Sequence, residues 1–152
     1  NSAQLIRENF KNVALTTDII VGFPGETEEE FEKTYDFLEE IKFYKMHIFK
    51  FSPKKGTVAA KMQNQVDGNI KEERSKRLIE LSNKNEEEYN KKSIGKIEEV
   101  LFEEKVDNLY KGHTKNYITI NVKSEDNVID KIKKVKIEKT YNKLEVFGKI
   151  IN

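Results

Sequence analysis

Thr16-Thr17-Asp18-Ile19-Ile20-Val21-Gly22-Phe23-Pro24-Gly25-Glu26-Thr27-Glu28-Glu29-Glu30-Phe31 reads in order as a strand, a turn and a helix start. From Val13 to Val21 the chain is a near-continuous run rich in β-branched residues. Such a run predicts a strand buried on both faces, as in a parallel sheet. Gly22-Phe23-Pro24-Gly25 breaks it. Thr27 then stands where a helix N-cap belongs and Glu30 three residues on, which predicts a capping box. The acidic first turn suits the positive end of the helix dipole. Phe31, Tyr35, Leu38 and Ile41 recur at spacings of four and three and form one apolar stripe. A second run, Met46-His47-Ile48-Phe49-Lys50-Phe51, follows and is closed by Ser52-Pro53 and Lys55-Gly56-Thr57. Strand, loop, helix and strand make one βαβ unit, whose crossover should be right-handed.

Beyond this unit the pattern changes twice. From about Gln63 to Ser93 the chain is highly charged, with a sparse stripe of Ile70, Leu78, Leu81 and Tyr89. This predicts one long connecting helix with a wide solvated face, capped by Asn69 and ended by Gly95. The remainder changes to period two. Ile118, Ile120 and Val122 alternate with polar residues, as do Leu144, Val146, Gly148 and Ile150. Ile97 to Phe102 and Val135 to Ile137 supply two more strands, and Asn108 to Gly112 lies beside a further one. Several short strands in so little chain predict a small closed or partly closed barrel. The expected class is therefore α/β plus all-β, in zones 1–62, 63–94 and 95–152. There is no internal repeat and no low-complexity stretch.

Composition removes several functions. The 152 residues are 36% hydrophobic and 36% charged, so one large core is not expected. The 28 basic and 27 acidic side chains leave +1, which gives no global field for nucleic acid or a membrane. Nine Phe, six Tyr and the mixed charge argue against wholesale disorder. With no cysteine there is no disulfide, no thiolate nucleophile and no cysteine-ligated zinc or iron–sulfur cluster in this chain. Two histidines exclude a His-rich metal centre, and no metal ligand is assigned. No apolar run is long enough to span a membrane. No secretory leader is visible, and the expectation is an intracellular chain, as a whole protein or a fragment.

Some residues invite chemistry. Ligands of parallel sheets sit at the carboxyl ends of the strands. There, Gly22 and Gly25 let backbone approach a ligand, and Glu26 can accept hydrogen bonds from a ribose or an amine. A tight turn before a well-capped helix is the alternative. Asp18, an acid within an apolar run, needs partners, because a buried carboxylate without them costs several kcal/mol. His47 shares a strand face with Phe49 and Phe51, and a hydrogen-bonded rim residue is its plain reading. The basic loop from Ser52 to Thr57 suits either a phosphate or solvent. In the last zone 12 lysines face 10 acids, too small an excess to show nucleic-acid binding. Even so, Tyr110-Lys111-Gly112-His113-Thr114-Lys115-Asn116-Tyr117 interleaves aromatics and cations, the arrangement that stacks bases and meets phosphate. A lysine-rich solvated surface is the alternative there.

With these segments in hand, the chain resembles the C-terminal part of the radical-SAM methylthiotransferases. The resemblance rests on the block from Thr16 to Phe31 and on the Ser52-Pro53-x-x-Gly56-Thr57 loop with Ala59, Ala60 and Met62. Gln65-Val66 and Lys71-x-x-Arg74-x-x-x-Leu78 follow in the same order. In that family a TRAM domain, a small RNA-binding barrel, comes next, where the period-two zone lies here. The implied architecture is the C-terminal part of a radical-SAM, partial TIM-like barrel (1–62), a linking helix (63–94) and a five-stranded OB-like TRAM barrel (95–152).

His47-x-Phe49-x-Phe51-Ser52, with Lys-Gly-Thr and Ala-Ala-Lys-Met, is most similar to members that methylthiolate N6-threonylcarbamoyladenosine beside the anticodon of tRNA. Members acting on isopentenyladenosine or on an aspartate of a ribosomal protein are alternatives. The resemblance implies S-adenosylmethionine and two [4Fe–4S] clusters as cofactors. One cluster cleaves S-adenosylmethionine to a carbon radical, and the other is associated with sulfur insertion. The cluster cysteines are not in this chain, so it is expected to be inactive alone and to need the N-terminal, cluster-binding half as a partner. The resemblance places Asp18, Ile20, Gly22 and Glu26 at the S-adenosylmethionine pocket, with Phe51 and Ser52 beside it. It places RNA contacts at Lys111, His113, Lys115 and Tyr117, the tRNA anticodon stem-loop as partner, and the protein in the cytoplasm. A non-enzymatic RNA-binding module and a protein-interaction domain are the rivals. A half barrel has open sheet edges, so the first zone is expected to pair with another chain, to swap, or to pack on the long helix.

Overall fold

The computed structural model describes residues 2–151; Asn1 and Asn152, the outer bounds of the first and last zones, lie outside the described residues. The elements are α1 (Ser2–Asn9), β1 (Thr16–Val21), α2 (Glu28–Ile41), β2 (Lys45–Lys50), α3 (Val58–Lys61) and α4 (Gly68–Lys91). After them come β3 (Ile97–Val106), β4 (Leu109–Thr114), β5 (Thr119–Val122), β6 (Ile132–Thr140) and β7 (Glu145–Ile151). The chain forms two compact units that divide inside α4, between Asn85 and Glu86.

In the first unit β1 and β2 pair in parallel, from Thr16 opposite Lys45 to Val21 opposite Lys50, with α2 as the crossover. The capping box is present: the Thr27 hydroxyl accepts from the Glu30 N–H at 3.2 Å, and the Glu30 carboxylate accepts from the Thr27 N–H at 2.8 Å. Helix α2 ends where Lys42 turns left-handed at φ 53°, its N–H donating to the Leu38 carbonyl. Val21, Phe31, Leu38, Met46, Leu78 and Leu81 form the core, so the long helix supplies one wall of it. Each such side chain contributes about 1.5–3 kcal/mol on burial.

Strand β1 was expected to be buried on both faces, and it is buried on one. Val21 is buried, but Ile20 is 57% exposed, as is Phe49 opposite it at 53%. The sheet has two strands, and the helices that cover it in this unit pack on one side. A β-branched run shows that both faces suit burial, but it does not show that the same stretch supplies both covers. The outer edge of β2 is partly closed by α4: Ser82 Oγ accepts from the Met46 N–H at 2.9 Å, taking the place of a ladder partner.

The long helix also departs from its pattern. It starts at Gly68, where the Asp67 carboxylate accepts from the Asn69 N–H at 2.8 Å; Asp67, and not Asn69, is the cap. Its buried side is more polar than the sparse apolar stripe suggests, since Arg74, Ser75, Ser82, Asn85, Glu86 and Asn90 are also buried. Short α1 and α3 were not anticipated; Thr57 caps α3 by accepting from the Ala60 N–H.

The second unit is a closed barrel of order β3-β4-β5-β7-β6, with β6 returning to β3. Four of its pairings are antiparallel, and β5 with β7 is parallel. This is a five-stranded Greek-key barrel of the OB type. Val100, Phe102, Tyr110, Ile118, Ile120, Val122, Val128, Val135, Ile137 and Val146 fill it, and Tyr89, near the end of α4, packs against that core. The inward alternation of Ile118, Ile120 and Val122 is as the sequence predicts. Gly112 is fixed by packing, since a Cβ there would stand 2.2 Å from the Leu101 carbonyl oxygen.

Candidate functional site

The loop after β1 is held by a small network. Phe23 to Glu26 is a turn closed by the Glu26 N–H on the Phe23 carbonyl at 2.9 Å, with Pro24 second and Gly25 third at φ 92°. That is the residue order a type II turn requires. Gly22, at φ 72°, donates its N–H to Glu26 Oε2 at 2.7 Å. The same oxygen accepts from Arg74 Nη1 at 2.6 Å, and Arg74 Nη2 donates to Glu28 at 2.9 Å. Arg77 forms a bidentate pair with Glu32. Both guanidiniums lie over the Phe31 ring, at 5.1 and 4.9 Å. The Arg74 side chain is only 5% exposed. Burial alone would lower its pKa, but the hydrogen bonds it donates to Glu28 and Glu26 outweigh that and raise it.

Glu26 was expected to offer its carboxylate to a ligand. One of its oxygens is instead occupied by Gly22 and Arg74, and the side chain is 17% exposed, so Glu26 shapes the loop. Lys71 completes this strand end. Its stem crosses Gly22 so closely that a Cβ would meet Lys71 Cγ at 2.3 Å, and its ammonium donates to the Phe51 carbonyl at 3.3 Å. Sequence reasoning gave Arg74 and Lys71 no role. The signal was present for Arg74, which falls four residues before Leu78 on the side of the helix that faces the core.

The uncovered face of the sheet carries the other residues. Asp18 lies opposite His47, with Nδ1 3.4 Å from the carboxylate, and Ile20 lies opposite Phe49. Asp18 is exposed, and His47 partners it at the rim. At the strand end the Phe51 N–H continues the ladder to the Val21 carbonyl at 2.8 Å, and its ring meets Phe23 edge-on at 5.1 Å. Ser52 is exposed just beyond. Asp18, Ile20, Phe51 and Ser52 thus belong to one open face and its carboxyl end, where Gly22 is buried beneath the Lys71 stem.

On the barrel, His113, Lys115 and Tyr117 line a groove of about 360 Å³ with Glu99, Leu101, Glu103, Thr114 and Ile132. Its floor is a cross-strand row, Ile132 beside Leu101 beside His113. Tyr117 stands at φ 61° and is 75% exposed, in a turn fixed by the Thr114 hydroxyl accepting from the N–H groups of Asn116 and Ile118. Lys111 is not among the groove residues. Its ammonium sits 3.1 Å from Glu145, which also accepts from Asn121. Burial would raise the Glu145 pKa, but its bonds to Asn121 and Lys111 hold it below the usual carboxylate range. Lys115 pairs with Glu99 at 2.6 Å, a hydrogen bond that raises the lysine pKa and lowers that of the acid. His113 pairs with Glu103. Lys111, His113 and Lys115, expected as RNA contacts, therefore each already face a carboxylate.

Among the described residues no group of three or more His, Asp or Glu is placed to hold a metal ion, and no helix is long and apolar enough to cross a membrane. No protein-family model matches the chain. Individual proteins do. It is 43% identical over 139 residues to the threonylcarbamoyladenosine tRNA methylthiotransferase MtaB of Bacillus subtilis (strain 168), covering 88% of this chain and 31% of that protein. It is 42% identical over 140 residues to the tRNA-2-methylthio-N(6)-dimethylallyladenosine synthase of Acetivibrio thermocellus, covering 90% of this chain and 29% of that protein. The synthase of the same name from Aquifex aeolicus is 41% identical over 135 residues, 89% of this chain and 31% of that protein. The chain spans about a third of the length of the curated relatives it matches. By this similarity, over most of its length, the chain belongs to the methylthiotransferase family that its sequence resembles.

Proposed function

We propose that the chain is the C-terminal part of a cytoplasmic tRNA-modifying radical-SAM methylthiotransferase. In this reading residues 1–62 are part of its α/β barrel, 63–94 the linking helix and 95–152 a TRAM barrel. The observation that carries it is the open face of the β1–β2 sheet. It is apolar at Ile20 and Phe49, polar at Asp18 and His47, and it ends at a glycine loop held by Glu26 and Arg74. Such a face fits S-adenosylmethionine, which has a flat base for apolar contact and polar groups for the rim. Asp18, Ile20, Gly22, Phe51 and Ser52 would hold it, with Glu26 and Arg74 fixing the loop. When bound, that cofactor supplies a carbon radical and a methyl group. The clusters are a different matter: the chain has no cysteine, so none of its residues can ligate them through a thiolate, and it is expected to be inactive without its cluster-binding half.

The chain's own contribution is positional. Arg74 and Glu26 hold the turn so that the Gly22 backbone lies at the strand end, and the exposed Tyr117 offers a ring for base stacking. The barrel residues His113, Lys115 and Tyr117, with Lys111 alongside, would face the anticodon stem-loop. We favour N6-threonylcarbamoyladenosine as the substrate. Dimethylallyladenosine is a second reading, supported by the 42% identity to a synthase named for that nucleoside.

The test is a chimera that supplies the missing two thirds from the Bacillus subtilis relative, purified with its clusters and given tRNA carrying each nucleoside. Mass spectrometry of the digested tRNA should show a methylthio group on N6-threonylcarbamoyladenosine. Modification of dimethylallyladenosine alone would select the second reading. No product from either, with S-adenosylmethionine uncleaved, would refute the enzyme reading and leave an RNA-binding module.

A further inference from the structure

Three lysines of the second unit are neutralised locally: Lys91 pairs with Glu87, Lys111 with Glu145, and Lys115 with Glu99. Most of the unit's other lysines have no such partner among the described residues, and four of them are gathered in one place. Lys123, Lys131, Lys133 and Lys149 line one polar cavity of about 430 Å³, together with Ser124, Asn127 and a single acid, Asp126. They come from separate places, just past β5, just before β6, within β6 and within β7, so barrel closure is what gathers them. None of the four makes an ion pair with an acidic side chain among the described residues. The Lys131 ammonium donates to the Asn127 carbonyl at 2.8 Å, which orients it without cancelling its charge. Ammonium groups gathered without counter-charges make a local positive potential that a polyanion relieves. The cleft is concave, and its apolar members are Val128, buried in the core, and Ile150, half-buried. It therefore lacks the protruding apolar side chains with which a protein enters a lipid surface, whereas a run of phosphates needs only cations and hydrogen-bond donors.

We propose that this lysine cleft is the barrel's main grip on the phosphate backbone of RNA, and that the groove at His113 and Tyr117 meets bases. The proposal rests on the tRNA reading above and adds to it where the charge contact is made. The division of labour follows from the pairing. An anion approaching Lys111 or Lys115 must displace a carboxylate, and at the cleft it displaces only counter-ions.

The test uses the full chain and an anticodon stem-loop RNA, with affinity measured by fluorescence anisotropy across a salt series. Lys133→Ala with Lys149→Ala should weaken binding about ten-fold or more at low salt. It should also flatten the slope of log K against log salt by about 1 to 2. Lys111→Ala with Lys115→Ala should leave the slope near that of the wild type. The four cleft lysines are exposed, so thermal melts of the first double variant should match the wild type. An unchanged slope in the cleft variant, with the loss in the Lys111 and Lys115 variant, would overturn the proposal and leave the RNA reading standing. No RNA binding by the wild-type chain at low salt would refute both.

Discussion

The two units bury their cores by different means. The barrel closes on an apolar core, so its stability resides in side chains such as Phe102 and Ile120. The first unit has a two-stranded sheet covered on one side, and at its margin it buries a guanidinium, Arg74, against Glu26 and Glu28. Closure satisfies strand edges by construction. An open sheet has to manage them singly, as Ser82 does at Met46. One unit is thus closed and self-contained, while the other keeps a face open, which is what a pocket wall requires.

That contrast breaks most visibly in the barrel. Phe102→Ala should cost about 3–5 kcal/mol in urea denaturation of the barrel, since the ring is fully buried among β-branched neighbours. A loss under 1 kcal/mol would mean that the interior is loosely packed. In the first unit a polar truncation should cost nearly as much. Arg74→Ala strips the Gly22 loop of its clamp and leaves Glu26 half-paired, for about 3 kcal/mol. It should also raise amide exchange at Gly22 and Gly25. Equal exchange in variant and wild type would show that the turn holds without the ion pair.

Acid sharpens the comparison further. Hydrogen bonds lower the pKa of Glu30 through Thr27 and of Glu32 through Arg77 in the first unit, and in the barrel Glu145 is lowered against the opposing effect of burial. A carboxylate with a lowered folded pKa stabilises above its unfolded value, and that contribution is lost as pH falls through the folded one. Both units should therefore lose stability below about pH 4.5, and Glu145→Gln should remove part of that slope from the barrel alone. A slope unchanged by Glu145→Gln would assign the acid sensitivity elsewhere. The smallest effect belongs to the open face. Ile20→Asn should change stability by about 0.5 kcal/mol or less, because the side chain is already in solvent. A larger cost would mean that something in this chain covers the face.

How far the sequence could be read follows the same division. The capping box, the α2 stripe and the barrel's inward residues were legible because each is a local spacing with one physical solution. The uncovered face of β1 was not, since a β-branched run looks the same with one cover or two. Arg74 was hidden by composition: on a helix rich in charge, one more arginine reads as solvated until its place on the apolar stripe is noticed. The residues from Tyr110 to Tyr117 were visible as a cluster, but the carboxylates opposite them come from strands β3 and β7, and no spacing within the cluster announces them. The lysine cleft was illegible for a related reason, because its members are contiguous only once the barrel has closed.

The central claim is that the open face serves the cofactor and the closed barrel serves the RNA. A double dissociation in the chimera tests it most directly. Ile20→Glu on the open face should abolish reductive cleavage of S-adenosylmethionine while anticodon stem-loop binding stays at the wild-type value. Lys133→Ala with Lys149→Ala should do the reverse, weakening tRNA binding while cleavage in the absence of tRNA persists. If both variants lower both quantities together, or if Ile20→Glu leaves cleavage intact, the assignment of one task to each unit is wrong.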